Sequence, residues 1–200
     1  MRKGGATALA EASRFFMKDD RVHRTLRAIT AKLKELGVPY AVAGGMSLVA
    51  HGYVRTTDDV DILTTEEGLR KTHQQLDGLG YAPPFKGSKN LRDTETGVRI
   101  EFLVAGGFPG DGKPKPVAFP SPAAASVEID GIRYLQLSTL VELKLASGIS
   151  APHRLKDLAD VQELIRVLKL PRTFAEQLNP YVQPKFFELW DAVQQSPPEE

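Results

Sequence analysis

The run from Gly44 to Leu63, GGMSLVAHGYVRTTDDVDIL, limits this chain more than any other stretch. The apolar segment Tyr40-Ala-Val-Ala reads as a buried strand closed by the paired glycine. Met46 to His51 then carry a short helical pattern that Gly52 stops, and Arg55 to Asp58 lead into a second strand, Asp59-Val-Asp-Ile-Leu. Successive strand residues point to opposite faces, so Asp59 and Asp61 share one side while Val60 and Ile62 face the core. Two carboxylates on one side of a strand make a seat for a hard cation such as Mg2+, which takes carboxylate oxygens and shares them with phosphates. Backbone N–H groups at a helix start hold anions. Adjacent elements thus offer a metal seat and a phosphate seat.

The rest of the chain alternates helices and strands around this run. Asp19 and Asp20 are capping residues ahead of Val22, Leu26, Ile29, Leu33 and Leu36, whose three- and four-residue steps give a helix that Gly37 ends. A second helix is expected over Glu66 to Leu79. Strands are expected over 90–94 and 98–104, joined at Glu95-Thr96-Gly97. In the second of these, Arg99, Glu101 and Leu103 share one face and Ile100, Phe102 and Val104 the other, so Glu101 is a charge inside an apolar strand. Residues 105–116, dense in Gly and Pro, are a long loop. Asp130-Gly131 is a two-residue hairpin signal between Ser126–Ile129 and Ile132–Leu135. Helical spacing then covers 137–147, 154–170, 174–178 and 184–194. The expected division is an N-terminal arm (1–18), a core (19–136), a C-terminal helical subdomain (137–195) and a frayed tail (196–200).

Composition narrows the function classes. With 200 residues the chain makes one sizeable domain. A net charge of +1 makes no case for nonspecific nucleic-acid binding. The absence of cysteine excludes disulfides, thiolate-bound zinc and a cysteine nucleophile. No window approaches the roughly 18 apolar residues of a membrane span, and charges break the N-terminus too early for a signal peptide. The expected location is cytoplasmic, with no membrane partner.

Three acids are candidates for one site: Asp59 and Asp61 on one strand and Glu101 on another. Same-face residues two apart on a strand have Cα atoms about 6.5–7 Å apart, near enough for both side chains to reach one ion. In the first C-terminal helix Lys144 falls inside the apolar stripe Leu137, Leu140, Val141 and Leu145. A lysine there either snorkels or meets an anion, because an unpaired buried ammonium is very costly. The next helix opens Arg154-Leu-Lys-Asp-Leu-Ala-Asp, so Arg154 and Asp157, and Lys156 and Asp160, are helix neighbours; as surface ion pairs they would contribute little. Arg55 has two readings, pairing with a carboxylate or reaching a phosphate.

These residues carry a resemblance. GGMSLVAHGYVRTTDDVDIL resembles the GG/GS…DxD signature of the DNA polymerase β-like nucleotidyltransferase superfamily, and Glu101 in VRIEFLV looks like its third carboxylate, as Glu where Asp is common. Lys144 followed by RLKDLAD is similar to the K…RxKDxxD pattern of AbiEii/AbiGii-type toxin nucleotidyltransferases and related bacterial families. The likeness runs from about residue 37 to 169. It implies an α/β fold, a mixed sheet flanked by helices with a C-terminal helical extension. It also implies transfer of a nucleoside monophosphate from an NTP to a hydroxyl of RNA, protein or a small molecule, or the toxin role with a cognate antitoxin as partner. By matching positions, Gly44, Gly45 and Ser47 would hold phosphates, with Arg55, Lys144, Arg154 and Lys156 also binding nucleotide. Asp59 and Asp61, with Glu101, would hold two Mg2+ ions, or Mn2+ in their place. Glu101 would activate the acceptor, and Asp157 or Asp160 would orient Lys144. The alternative is a relative that binds nucleotide without turnover, as a sensor or interaction module.

Overall fold

The structure, a computed structural model, describes residues 20–195. The expected N-terminal arm and frayed tail lie outside these residues, as does Asp19. Helix α1 (Arg21–Glu35) starts where the Asp20 carboxylate accepts a hydrogen bond from the His23 backbone N–H, and Gly37, at φ +65°, turns the chain out of it. In chain order there follow β1 (Tyr40–Val42), α2 (Gly44–Ala50), β2 (Asp59–Thr64), α3 (Glu66–Leu76), β3 (Tyr81–Ala82), β4 (Leu91–Asp93) and β5 (Arg99–Val104). A short helix α4 (Pro122–Ala125) leads into the hairpin β6 (Ser126–Ile129) and β7 (Ile132–Leu135). Helices α5 (Leu137–Ser150), α6 (Leu155–Leu168) and α7 (Gln183–Gln195) complete the chain, with 3-10 turns at Pro152–Arg154 and Arg172–Gln177.

The strands form a mixed sheet in the order β3-β4-β5-β2-β1-β7-β6. Two pairings are parallel, β2 with β5 and β1 with β7. The alternation seen in the sequence sorts the core into two layers. Val60, Ile62, Ile100 and Phe102 pack under α1 and α3 with Leu26, Ile29, Leu33 and Leu69. On the opposite face Ala41, Leu63 and Leu135 join Leu140, Val141, Leu145, Val161, Leu164 and Phe186 of α5, α6 and α7. The C-terminal helices therefore share a core with the sheet. No helix among the described residues is long and apolar enough to cross a membrane.

Several details differ from the sequence expectation; the helix expected over 154–170 is Leu155–Leu168, and the segment expected helical over 174–178 is a 3-10 turn at Arg172–Gln177. Helix α2 begins at Gly44, ahead of Met46, and absorbs the glycine pair. Helix α3 stops at Leu76, three residues before the expected end. Helix α5 runs on to Ser150, past the expected end at 147, and its Gly148 packs against Leu158 of α6 so closely that a Cβ would lie 2.5 Å from its Cγ.

Candidate active site

The acids meet because β2 and β5 run parallel and in register, Asp59 beside Arg99 and Asp61 beside Glu101. Neighbouring strands lie about 4.8 Å apart, so Asp61 and Glu101 are direct neighbours on the face that carries Leu63 and α5–α7. Gly44 explains the first glycine: it has φ +54°, and a Cβ there would stand 1.7 Å from the Asp61 carboxylate oxygen Oδ2. Only glycine lets that carboxylate rest on the backbone at the start of α2. Gly45 admits Thr57 in the same way, since its Cβ would fall 2.7 Å from Thr57 Oγ1. Thr57 in turn donates to Asp59 Oδ1 at 2.8 Å.

Burial, followed by the nearby Asp59 and Glu101, pushes the Asp61 carboxyl up to about 7, against the smaller opposing pull of Lys144 and Arg154. Such a site has more negative charge than its protein neighbours balance. All its donors are hard oxygens, which suits Mg2+ or Mn2+. Even so, no three His, Asp or Glu side chains among the described residues are placed to hold an ion as they stand. Arg99 Nη2 sits 3.0 Å from Glu101 Oε1 and 3.6 Å from Asp59 Oδ2.

The opposite wall comes from α5 and α6. Lys144, inside the apolar stripe, does not snorkel; it is 7% exposed and donates to Asp157 Oδ1 at 2.9 Å and Asp160 Oδ2 at 2.7 Å. Ser147, one turn along α5, donates to Asp157 Oδ2 at 2.7 Å, and Arg154 Nε donates to the same oxygen at 3.0 Å. Arg55 Nη2 donates to Asp160 Oδ2 at 3.1 Å, with Nε 3.0 Å from Oδ1, so it has a carboxylate partner while also lining the cleft. Burial alone would raise Asp157, but Lys144, the Ser147 hydroxyl and Arg154 outweigh it and hold its carboxyl below the usual range. Asp157 and Asp160 are buried, 8% and 3% exposed, so they are not the surface ion pairs that the helix spacing alone suggests. They order Lys144 and Arg55 from within.

Between these walls lies a cleft of about 220 Å³. It is lined by the expected Gly44, Gly45, Asp59, Asp61 and Glu101 on the sheet side, and by Arg55, Lys144, Arg154, Lys156 and Asp157 on the other. Leu103, Phe119, Leu140 and Leu143 give it an apolar wall. Two expected members stand apart. Asp160 lies beneath the lining, and Ser47 is fully buried, its Oγ without a hydrogen-bond partner among the described residues. With α2 already under way at Gly44, Ser47 is most of a turn in and inside the wall, so its side chain does not face the cleft as expected. The sequence reading missed Thr57, Arg99 and Ser147. Each has a signal: Arg99 and Thr57 stand two residues before an acid, and Ser147 is three after Lys144 on a helix.

No protein-family model and no curated protein sequence matches the chain. Among solved structures it is similar to a provisionally assigned nucleotidyltransferase from H. pylori, with 14% identity and TM-score 0.47, covering 86% of this chain and 91% of that one. It is also similar to ANT(2″)-Ia in complex with adenylyl-2″-tobramycin, with 14% identity and TM-score 0.44 over 86% of this chain and 95% of that one. A third is a provisionally assigned nucleotidyltransferase from Thermotoga maritima, with 22% identity and TM-score 0.41, covering 73% and 89%. At these values the likenesses carry no argument, and the chemistry rests on the side chains of the cleft.

Proposed function

We propose that the protein is a nucleotidyltransferase of the DNA polymerase β-like superfamily that moves an NMP from an NTP to a hydroxyl acceptor. The observation that carries this reading is the in-register pair Asp61 and Glu101, set against Gly44 and facing the Lys144 wall across one cleft. An acceptor oxygen attacks the α-phosphorus, the bond to the bridging oxygen breaks, and pyrophosphate leaves; the acceptor proton passes to Glu101. Such chemistry asks for positioning and charge neutralisation, and no nucleophilic side chain. Asp59 and Asp61, with Glu101, would hold Mg2+ or Mn2+, which when bound neutralises charge on the phosphates. The backbone of Gly44 and Gly45 meets the phosphate tail. Arg154 and Lys156, exposed at the mouth, balance it from the helical side. Leu103, Phe119 and Leu140 supply apolar surface for a base.

The RLKDLAD likeness supports the narrower proposal that this is an AbiEii-like toxin working in the cytoplasm with an antitoxin partner. Its acceptor is then a hydroxyl of RNA, protein or a small molecule. The rival reading, nucleotide binding without turnover as a sensor or interaction module, draws on Arg99 standing against two of the three acids. Incubation with α-labelled NTPs, Mg2+ and cell RNA or protein separates the two. Label transfer that Asp61→Asn abolishes supports the enzyme. Tight NTP binding with no transfer to any acceptor supports the module.

A further inference from the structure

Arg99 stands beside the acids and takes no part in the chemistry proposed above. Strand β5 puts it two residues before Glu101 on the same face, as the register partner of Asp59. Its side chain is 55% exposed and lies over the acids from the solvent side, with Nη2 3.0 Å from Glu101 and 3.6 Å from Asp59. Two of the three carboxylates that a divalent cation would use are thus already faced by a single cation of the chain itself.

Resting on the nucleotidyltransferase reading, we propose that Arg99 is a resident counter-ion of the acid site. It holds Asp59 and Glu101 while no divalent cation is bound and leaves them when one enters. The carboxylates of Glu101 and Asp59 hold it there, and the neighbouring strand offers it no competing acid at its register position. In the antiparallel pairing of β4 with β5, Arg92 is directly opposite Arg99, so the two share a face, and like charges so placed repel. Arg92 is itself turned aside, donating from Nη1 to the Gly97 carbonyl at 2.9 Å. Arg99 therefore faces repulsion on the β4 side and attraction on the β2 side. The exchange is within reach of a bound ion, because exposed ion pairs of this kind contribute little each and solvent lies on the outer side of the guanidinium. A free divalent cation must displace the arginine alone. A cation arriving with a triphosphate brings extra oxygen ligands and wins the exchange more easily, so Arg99 makes cation entry depend on nucleotide.

Calorimetric titration of Mn2+ into nucleotide-free protein tests this in the wild type, Arg99→Gln, Arg99→Lys and Asp61→Asn. Arg99→Gln is expected to bind at least about fivefold tighter, from the exchange of exposed ion pairs, while Arg99→Lys, which keeps the charge, stays near the wild type. In thermal melts Arg99→Gln is expected to show a lower Tm without cation and a larger rise on adding Mn2+. Equal Mn2+ affinity in the wild type and Arg99→Gln, with binding still lost in Asp61→Asn, overturns the counter-ion role and leaves the nucleotidyltransferase reading standing. Absence of Mn2+ binding in every protein, with or without NTP, overturns both.

Discussion

Asp61 is crowded from three sides: Asp59 precedes it on β2, Glu101 lies beside it on β5, and the Gly44 backbone lies beneath it. Its charge works against the fold in the absence of a cation, so an isosteric neutral side chain should be tolerated. Asp61→Asn is expected to leave Tm unchanged or raise it while cutting label transfer by at least about a hundredfold, the scale on which removing one preorganised electrostatic group acts. Thermal melts and the transfer assay read the two effects separately. Asp157 behaves in the opposite sense. Its folded-state carboxyl lies below its unfolded value of 3.8, so its contribution is fully present above about pH 4 and is lost as pH falls through the lower folded value. Asp157→Asn should cost roughly 3–5 kcal/mol at pH 7, since it breaks a buried ion pair, and should flatten the fall in stability below pH 4. Urea unfolding between pH 2.5 and 7 measures both. The period-two spacing made Asp59, Asp61 and Glu101 legible as same-face acids. It also made Lys144 legible as a misplaced charge; its partners Asp157 and Asp160 came only through the RLKDLAD likeness, because the helix crossing that buries them is not encoded in any local spacing.

Among the elements, the turn from β1 into α2 fixes the site, and its glycine is replaceable by nothing. Gly44→Ala meets both a left-handed backbone and the Asp61 carboxylate, so it is expected to abolish transfer and to lower stability. Gly131→Ala is the matched comparison. Its φ is +78° but nothing lies within 4 Å of an added Cβ, so only the conformational cost of about 1–2 kcal/mol applies and transfer should survive. Urea titrations of both variants beside the transfer assay check the pair. The Asp130-Gly131 hairpin was readable to the residue, because its turn chemistry is local. The parallel pairing of β2 with β5 was not, because those strands are far apart in sequence and meet only through the sheet order. The two-residue β3 and the four-residue α4 carry too few residues for a period to appear.

Across the whole molecule the helical segment after residue 136 is part of the same folded body as the sheet. Leu63 and Leu135 of the sheet are fully buried against α5, α6 and α7. A chain ending at residue 136 exposes that sheet face, and circular dichroism with urea titration is expected to show no cooperative unfolding. The same packing builds the cleft, since Arg55 from the loop before β2 is tied to Asp160 of α6 and Lys144 of α5 is tied to both acids of α6. The central claim is that acids from two separate strands serve one ion in the presence of nucleotide. Mn2+ binding to the protein in saturating NTP, followed by electron paramagnetic resonance in the wild type, Asp61→Asn and Glu101→Gln, tests it most directly. A protein-bound Mn2+ signal is expected in the wild type and its loss in both variants; an unchanged signal in either variant rules out shared ligation by the two strands.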